Sequence, residues 1–152
     1  MTIDPHIETL PAWVSAGERT VVAMTELRVA FPAAFGKVAE AVGRAGGQIG
    51  GPAYARYFGM PTDTVDVEIG FAIDRTLDLP GLVVTEHPET RAVVATHQGP
   101  YELLSQSYEE ITAWFSGQEL PLEESMFEFY DSPPEEDPAT TITRIVFPLS
   151  DD

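Results

Sequence analysis

The chain has 152 residues, 43% hydrophobic and 22% charged, which suits one globular domain with a sizeable core. Asp and Glu number 25 against 8 Lys and Arg, a formal net charge of 8 − 25 = −17. That field repels phosphate backbones, which argues against direct nucleic-acid binding by this chain alone; it would attract organic cations or a basic protein partner, or it serves solubility or adaptation to a salty cytoplasm.

With no cysteine, the chain has no disulfide, thiolate metal site or cysteine nucleophile. The N-terminal M-T-I-D-P-H-I-E-T-L-P has neither a basic start nor an apolar run, so it is not a secretory signal. No stretch approaches the roughly 20 apolar residues of a membrane span. The expectation is a cytoplasmic protein without membrane contact.

Residues 1–18, broken by Pro5, Pro11 and Gly17, read as an N-terminal arm before a domain spanning 19–152, with Trp13 either tacking the arm onto the domain or serving as a partner contact. Arg19 to Ala30 is β-branched and reads as a strand. Phe31, Phe35, Val38 and Val42 recur at helical spacing, and Gly46-Gly47 stops that helix. Two strands follow, P-A-Y-A-R-Y-F-G and T-V-D-V-E-I-G-F-A-I; the second alternates Val65, Val67, Ile69, Phe71 and Ile73 on one face. G-L-V-V-T-E-H-P-E-T supplies an extra strand and a turn.

Arg91 to His97 is the next strand, and Gly99-Pro100 opens a helix whose stripe is Leu104, Tyr108, Ile111 and Phe115. M-F-E-F-Y-D and T-I-T-R-I-V-F-P-L are strands separated by the loop S-P-P-E-E-D-P. The order strand-helix-strand-strand thus occurs twice, over about 19–75 and 90–150. Adding 73 carries the first helical stripe onto the second and Tyr57 onto Tyr130; adding 72 carries Val21-Val22-Ala23 onto Val93-Val94-Ala95. Phe71 matches Phe147. The fold class expected is α+β: two pseudo-symmetric units forming an antiparallel sheet with two main helices packed on one face. A crevice between such repeats is a usual ligand site.

The second half, with its valine-rich strand ending in H-x-G-P-Y, its W-F helix end, then F-E-F-Y-D-S-P-P and I-x-x-I-V-F-P-L, resembles the GyrI-like small-molecule-binding domain. That family includes effector-binding domains of bacterial multidrug-sensing transcription regulators. The resemblance runs from about Arg19 to Leu149 and is strongest at His97-Gly99-Pro100-Tyr101, Trp114 and Glu128-x-Tyr130. It implies a duplicated strand-helix-strand-strand fold and an aromatic pocket with a buried Glu, here Glu128, that meets cationic or polar drug-like compounds. The family's regulators carry a helix-turn-helix ahead of this domain. With only about 18 residues there, the chain reads as a stand-alone member. Such members are implied to bind toxic or hydrophobic compounds, to inhibit a protein target such as gyrase, or to hydrolyse strained electrophiles.

The residues themselves give Glu128 two readings, a pocket acid or an edge-strand acid in water. An entering cation would relieve the cost of burying its charge, and aromatic faces would add roughly 0.5–2 kcal/mol each. Tyr130 and Trp114 are the preferred walls, followed by Tyr101, Tyr108, Tyr54 and Tyr57, for all of which core packing is the alternative. Glu68 points away from Val67 and Ile69, as a second acid of the site or a solvent-facing residue. Arg56 and Arg144 neutralise acids across the sheet. In a hydrolase, Glu128 would activate water and Tyr130 donate a hydrogen bond. His6, His87 and His97 lack metal-ligand spacing, His97 reading as a structural hydrogen bond, and no phosphate loop, Rossmann glycine pattern or G-x-S-x-G appears. No metal or cofactor is expected.

Overall fold

The computed structural model describes residues 4–59, 62–99, 103–116, 118, 120, 122–131 and 141–149, apart from the side chain of Arg28. The chain forms two compact units, one comprising Pro11–Glu89 and the other Met1–Leu10 with Thr90–Asp152. Each is α+β. Each holds a four-stranded antiparallel sheet with one helix on one face.

In the Pro11–Glu89 unit, strand β2 (Trp13–Ala23) leads through a 3-10 turn (Met24–Glu26) into helix α1 (Leu27–Arg44), followed by β3 (Ile49–Phe58), β4 (Thr64–Ile73) and β5 (Val83–His87). The strand order is β3-β4-β2-β5. Ala34, Val38 and Val42, one turn apart along α1, are at most 1% exposed. They form the stripe that covers the sheet, where Val38 and Val42 meet Ala16, Ile73 and Leu79. Full burial of each such valine contributes about 1.5–3 kcal/mol. The helix stops where Gly46 takes φ +79° and the Gly47 N–H donates to Val42 O at 2.9 Å, a turn that favours glycine.

The other unit joins β1 (His6–Leu10), β6 (Thr90–Gln98), helix α2 (Leu104–Phe115), β7 (Ser125–Tyr130) and β8 (Ile142–Pro148), in the order β1-β6-β8-β7. Ile111 of α2 packs on Ala95 and Ile145, with Leu104, Tyr108, Phe115, Met126 and Phe147 around them. The shift of 73 between the helices holds at the level of packing. Ala34 and Val38 map onto Ser107 and Ile111, and all four are buried.

Three expectations change. The arm contains β1 and the start of β2. His6–Leu10 pairs residue by residue with Thr90–Val94, and Trp13–Gly17 pairs with Val83–His87. β1 is an exposed edge strand held by backbone hydrogen bonds, so it has no apolar alternation to show in sequence. The segment Leu27–Ala30 belongs to α1, because the strand ends at Ala23; Val29 is 66% exposed and has no sheet face to fill. The first strands of the repeats do not correspond by 72. Ala16 lies opposite Phe71 and Val93 opposite Phe147, so Val93 matches Ala16, a shift of 93 − 16 = 77. The shift of 73 between β3 and β7 puts Ala55 at the place of Glu128. No described helix is long and apolar enough to cross a membrane.

Candidate functional site

In an antiparallel pair, residues directly opposite each other share a face. Glu128 lies opposite Ile145, and Tyr130 opposite Thr143. Ile145 packs under Ile111 of α2, so Met126, Glu128 and Tyr130 all point towards that helix. Glu128 is 6% exposed. Tyr108 descends from α2 and donates its hydroxyl to Glu128 Oε2, while Tyr130 donates to Oε1 at 2.7 Å. Both carboxylate oxygens therefore carry a phenol. Met126, with its thioether 3.9 Å from the Tyr108 hydroxyl, and Phe115 stacked edge-on to Phe147 complete the surroundings. His97 Nδ1 hydrogen-bonds Ser107 Oγ at 2.7 Å on the same face, fixing α2 to β6. The arrangement is a buried acid in an aromatic and thioether setting beneath an amphipathic helix.

The opposite face of this sheet carries a phenylalanine pair and an ion pair. Phe127 and Phe129 stack with centroids 5.6 Å apart, and the Arg144 guanidinium lies over Phe129 while its Nε and Nη2 hold Asp131. Trp114 is half-buried on α2 and meets Phe115 edge to face. Tyr101 lies outside the described residues.

The Pro11–Glu89 unit holds a second buried acid, on the face away from α1. Glu68 is 1% exposed and accepts a hydrogen bond from Tyr54, itself fully buried. Burial pushes the Glu68 carboxyl up, opposed by the Tyr54 hydrogen bond and by Arg56 and Arg19. Burial, then the Glu68 charge, drive the Tyr54 phenol well above its ordinary value. Ser15 hydrogen-bonds Tyr54 on one side and His87 Nε2, at 2.8 Å, on the other. Burial, with Arg56 adding to it, lowers His87 to about 4, and its ring stacks on Trp13 at 4.2 Å. Trp13 in turn stands edge-on to Tyr54.

Gly17 and Gly70 make this packing possible. A Cβ on Gly17 would lie 2.5 Å from the Tyr54 hydroxyl, and one on Gly70 would lie 1.9 Å from Ala16 O. Arg19 ion-pairs with Asp66 through Nε and Nη2, and its guanidinium lies 3.8 Å over the Phe58 ring. Tyr57 sits on the α1 face, opposite Val67, and so points away from Tyr54 and Glu68.

Of the residues singled out in the sequence, Glu128, Tyr108 and Tyr130 thus come together in one unit and Glu68 with Tyr54 in the other. Sequence reasoning missed Ser15 and His87 and left Trp13 without a role in the sheet. Their signal was the alternation Trp13, Ser15, Gly17, Arg19 along β2, hidden once the segment was read as an arm. Among the described residues, no group of three or more His, Asp or Glu is arranged to hold a metal ion.

The doubled strand-helix-strand-strand unit, each with its own buried acid, is the α+β architecture of one class of domain. The chain belongs to the family of the GyrI-like small molecule binding domain, which matches residues 3–150. No curated protein matches the sequence. Among solved structures, the EcmrR C-terminal domain superposes with a TM-score of 0.84 at 21% identity, over 99% of each chain. SAV2435 bound to tetraphenylphosphonium gives 0.67 at 14% identity, over 97% of this chain and 94% of that one. A hydrolase from Listeria innocua gives 0.60 at 12% identity, over 98% and 93%. At such identities the likeness is one of fold.

Proposed function

We propose that this protein binds hydrophobic organic cations, with Glu128 as the charge partner and Tyr108, Tyr130, Met126 and Phe115 as the surrounding wall. The observation that carries the reading is the Glu128 carboxylate, 6% exposed and held by two neutral phenol donors on a sheet face closed by an amphipathic helix. Phenols stabilise the charge without neutralising it. A desolvated cation would do both, and aromatic faces add roughly 0.5–2 kcal/mol per contact. The tetraphenylphosphonium carried by SAV2435 is a ligand of that chemistry on the same fold. The Tyr108 phenol occupies one carboxylate oxygen, so a ligand reaching the charge must displace it.

The test is calorimetric titration of a panel of lipophilic cations into wild type and Glu128→Gln. Loss of the charge partner is expected to weaken binding by tenfold or more, about 1.4 kcal/mol. Unchanged affinity would remove Glu128 from the site.

A second reading uses the same residues for hydrolysis, with Glu128 activating water against an electrophilic ligand and Tyr130 donating a hydrogen bond. The Tyr130–Glu128 contact at 2.7 Å and a hydrolase of the same fold favour it. Incubation with a strained-ring electrophile separates the two readings. Product that accumulates beyond one equivalent marks the enzyme, and recovered intact ligand marks the binder.

A further inference from the structure

Thr143 is fully buried on β8, and its Oγ1 is the one enclosed side-chain polar atom among the described residues that lacks a hydrogen-bond partner. An enclosed hydroxyl without a partner is costly, and such groups are rare in folded proteins. Its position is informative. Thr143 lies opposite Tyr130 on one side and His97 on the other, so all three side chains share the face beneath α2. Both neighbours bond elsewhere, Tyr130 to Glu128 and His97 to Ser107. Glu128 stands opposite Ile145, two residues along the strand from Thr143. That diagonal step across an antiparallel pair is about 7–8 Å, the span of one substituted aromatic ring.

We propose that Thr143 Oγ1 is a specificity-determining contact of the Glu128 site, reserved for a hydrogen-bonding group on the ligand. The inference rests on the Glu128 reading and narrows it. The preferred ligand is a hydrophobic cation that also carries a hydroxyl, amine or carbonyl about one aromatic ring away from its positive centre. A purely hydrocarbon cation satisfies Glu128 and leaves Thr143 unbonded. A ligand with both groups satisfies the two polar atoms together. Thr143 takes no part in holding the fold through its hydroxyl, so valine, which has the same shape, isolates the hydroxyl's role.

The experiment compares tetraphenylphosphonium with (4-hydroxyphenyl)triphenylphosphonium by calorimetric titration, using wild type, Thr143→Val and Thr143→Ser. Wild type is expected to favour the hydroxylated compound by about threefold to tenfold, the range of one net hydrogen bond. Thr143→Val should bind tetraphenylphosphonium as wild type does, with the preference reduced to about one. Thr143→Ser should keep the preference. The melting temperature of Thr143→Val should match or exceed that of wild type, since an unbonded hydroxyl leaves the interior. Equal binding of the two phosphoniums by wild type, or a preference that survives in Thr143→Val, would overturn the inference while leaving Glu128 in place. Absence of binding by either phosphonium would overturn the Glu128 reading and this inference with it.

Discussion

Among the described residues the two units bury one acid each, on different faces of their own sheets and with different company. Glu128 points to the helix side of its sheet, where Tyr108 comes from α2 and Tyr130 from its own strand. Glu68 points away from α1, where Tyr54 joins it to Ser15 and His87 within the sheet, and Arg19 and Arg56 lie opposite it on the neighbouring strands. Duplication of the fold has therefore not duplicated the site. By the repeat, Glu128 corresponds to Ala55. With Phe71 matched to Phe147, a shift of 76, Glu68 corresponds to Arg144, which pairs with Asp131. One acid lies beneath a helix; the other lies among strands beside cationic groups. The proposed reading gives ligand binding to Glu128 and leaves Glu68 a structural part.

The largest effect expected is at Gly70. Alanine there would put a methyl against the backbone of β2, so the strands must part. Gly70→Ala should cost about 3 kcal/mol or more of stability, read by chemical denaturation, because backbone cannot move aside as a side chain can. Next comes Tyr54→Phe, which leaves Glu68 buried without its phenol donor and should cost about 1–3 kcal/mol. Tyr108→Phe is the matched change in the other unit. It should cost about 1 kcal/mol and change phosphonium affinity by less than Glu128→Gln does, since Tyr130 still holds the carboxylate.

The smallest effect is in pH dependence, and its sign separates the acid from the histidine. Glu68 has its folded pKa raised, so the stability it contributes is fully present below its ordinary 4.5 and is lost as pH rises through the folded value. Glu68→Gln should therefore be more stable relative to wild type at pH 7 than at pH 4. His87 is lowered to about 4 from 6.5, so its contribution is present above 6.5 and lost as pH falls towards 4. His87→Gln should flatten that acid limb of the stability curve. Opposite slopes from the two substitutions are the expected result; slopes of the same sign would break the description of this cluster.

Much of the fold was legible because its signals are local and periodic. The stripes through Val38–Val42 and Ile111–Phe115, and the alternation of Val65 to Ile73, lie where they were read. The edge strand β1 was not legible. It is exposed and held by backbone pairing, which leaves no side-chain pattern. The start of α1 was misread because Val21, Val22 and Val29 look alike to a propensity argument, while only the sheet's length decides which of them stay extended. The acids were legible as candidates and not as a constellation. Which face Glu128 occupies follows from its register with Ile145, a long-range fact absent from the composition of M-F-E-F-Y-D. The Ser15–His87 contact joins residues 72 apart and was equally out of reach.

The most direct test of the central claim is a side-by-side calorimetric titration of tetraphenylphosphonium into wild type, Glu128→Gln and Glu68→Gln at neutral pH, with melting curves confirming that each variant is folded. Glu128→Gln is expected to weaken binding by tenfold or more while Glu68→Gln stays within about twofold of wild type. Binding that survives Glu128→Gln and fails in Glu68→Gln would contradict it, and would move the charge-recognising acid to the other unit.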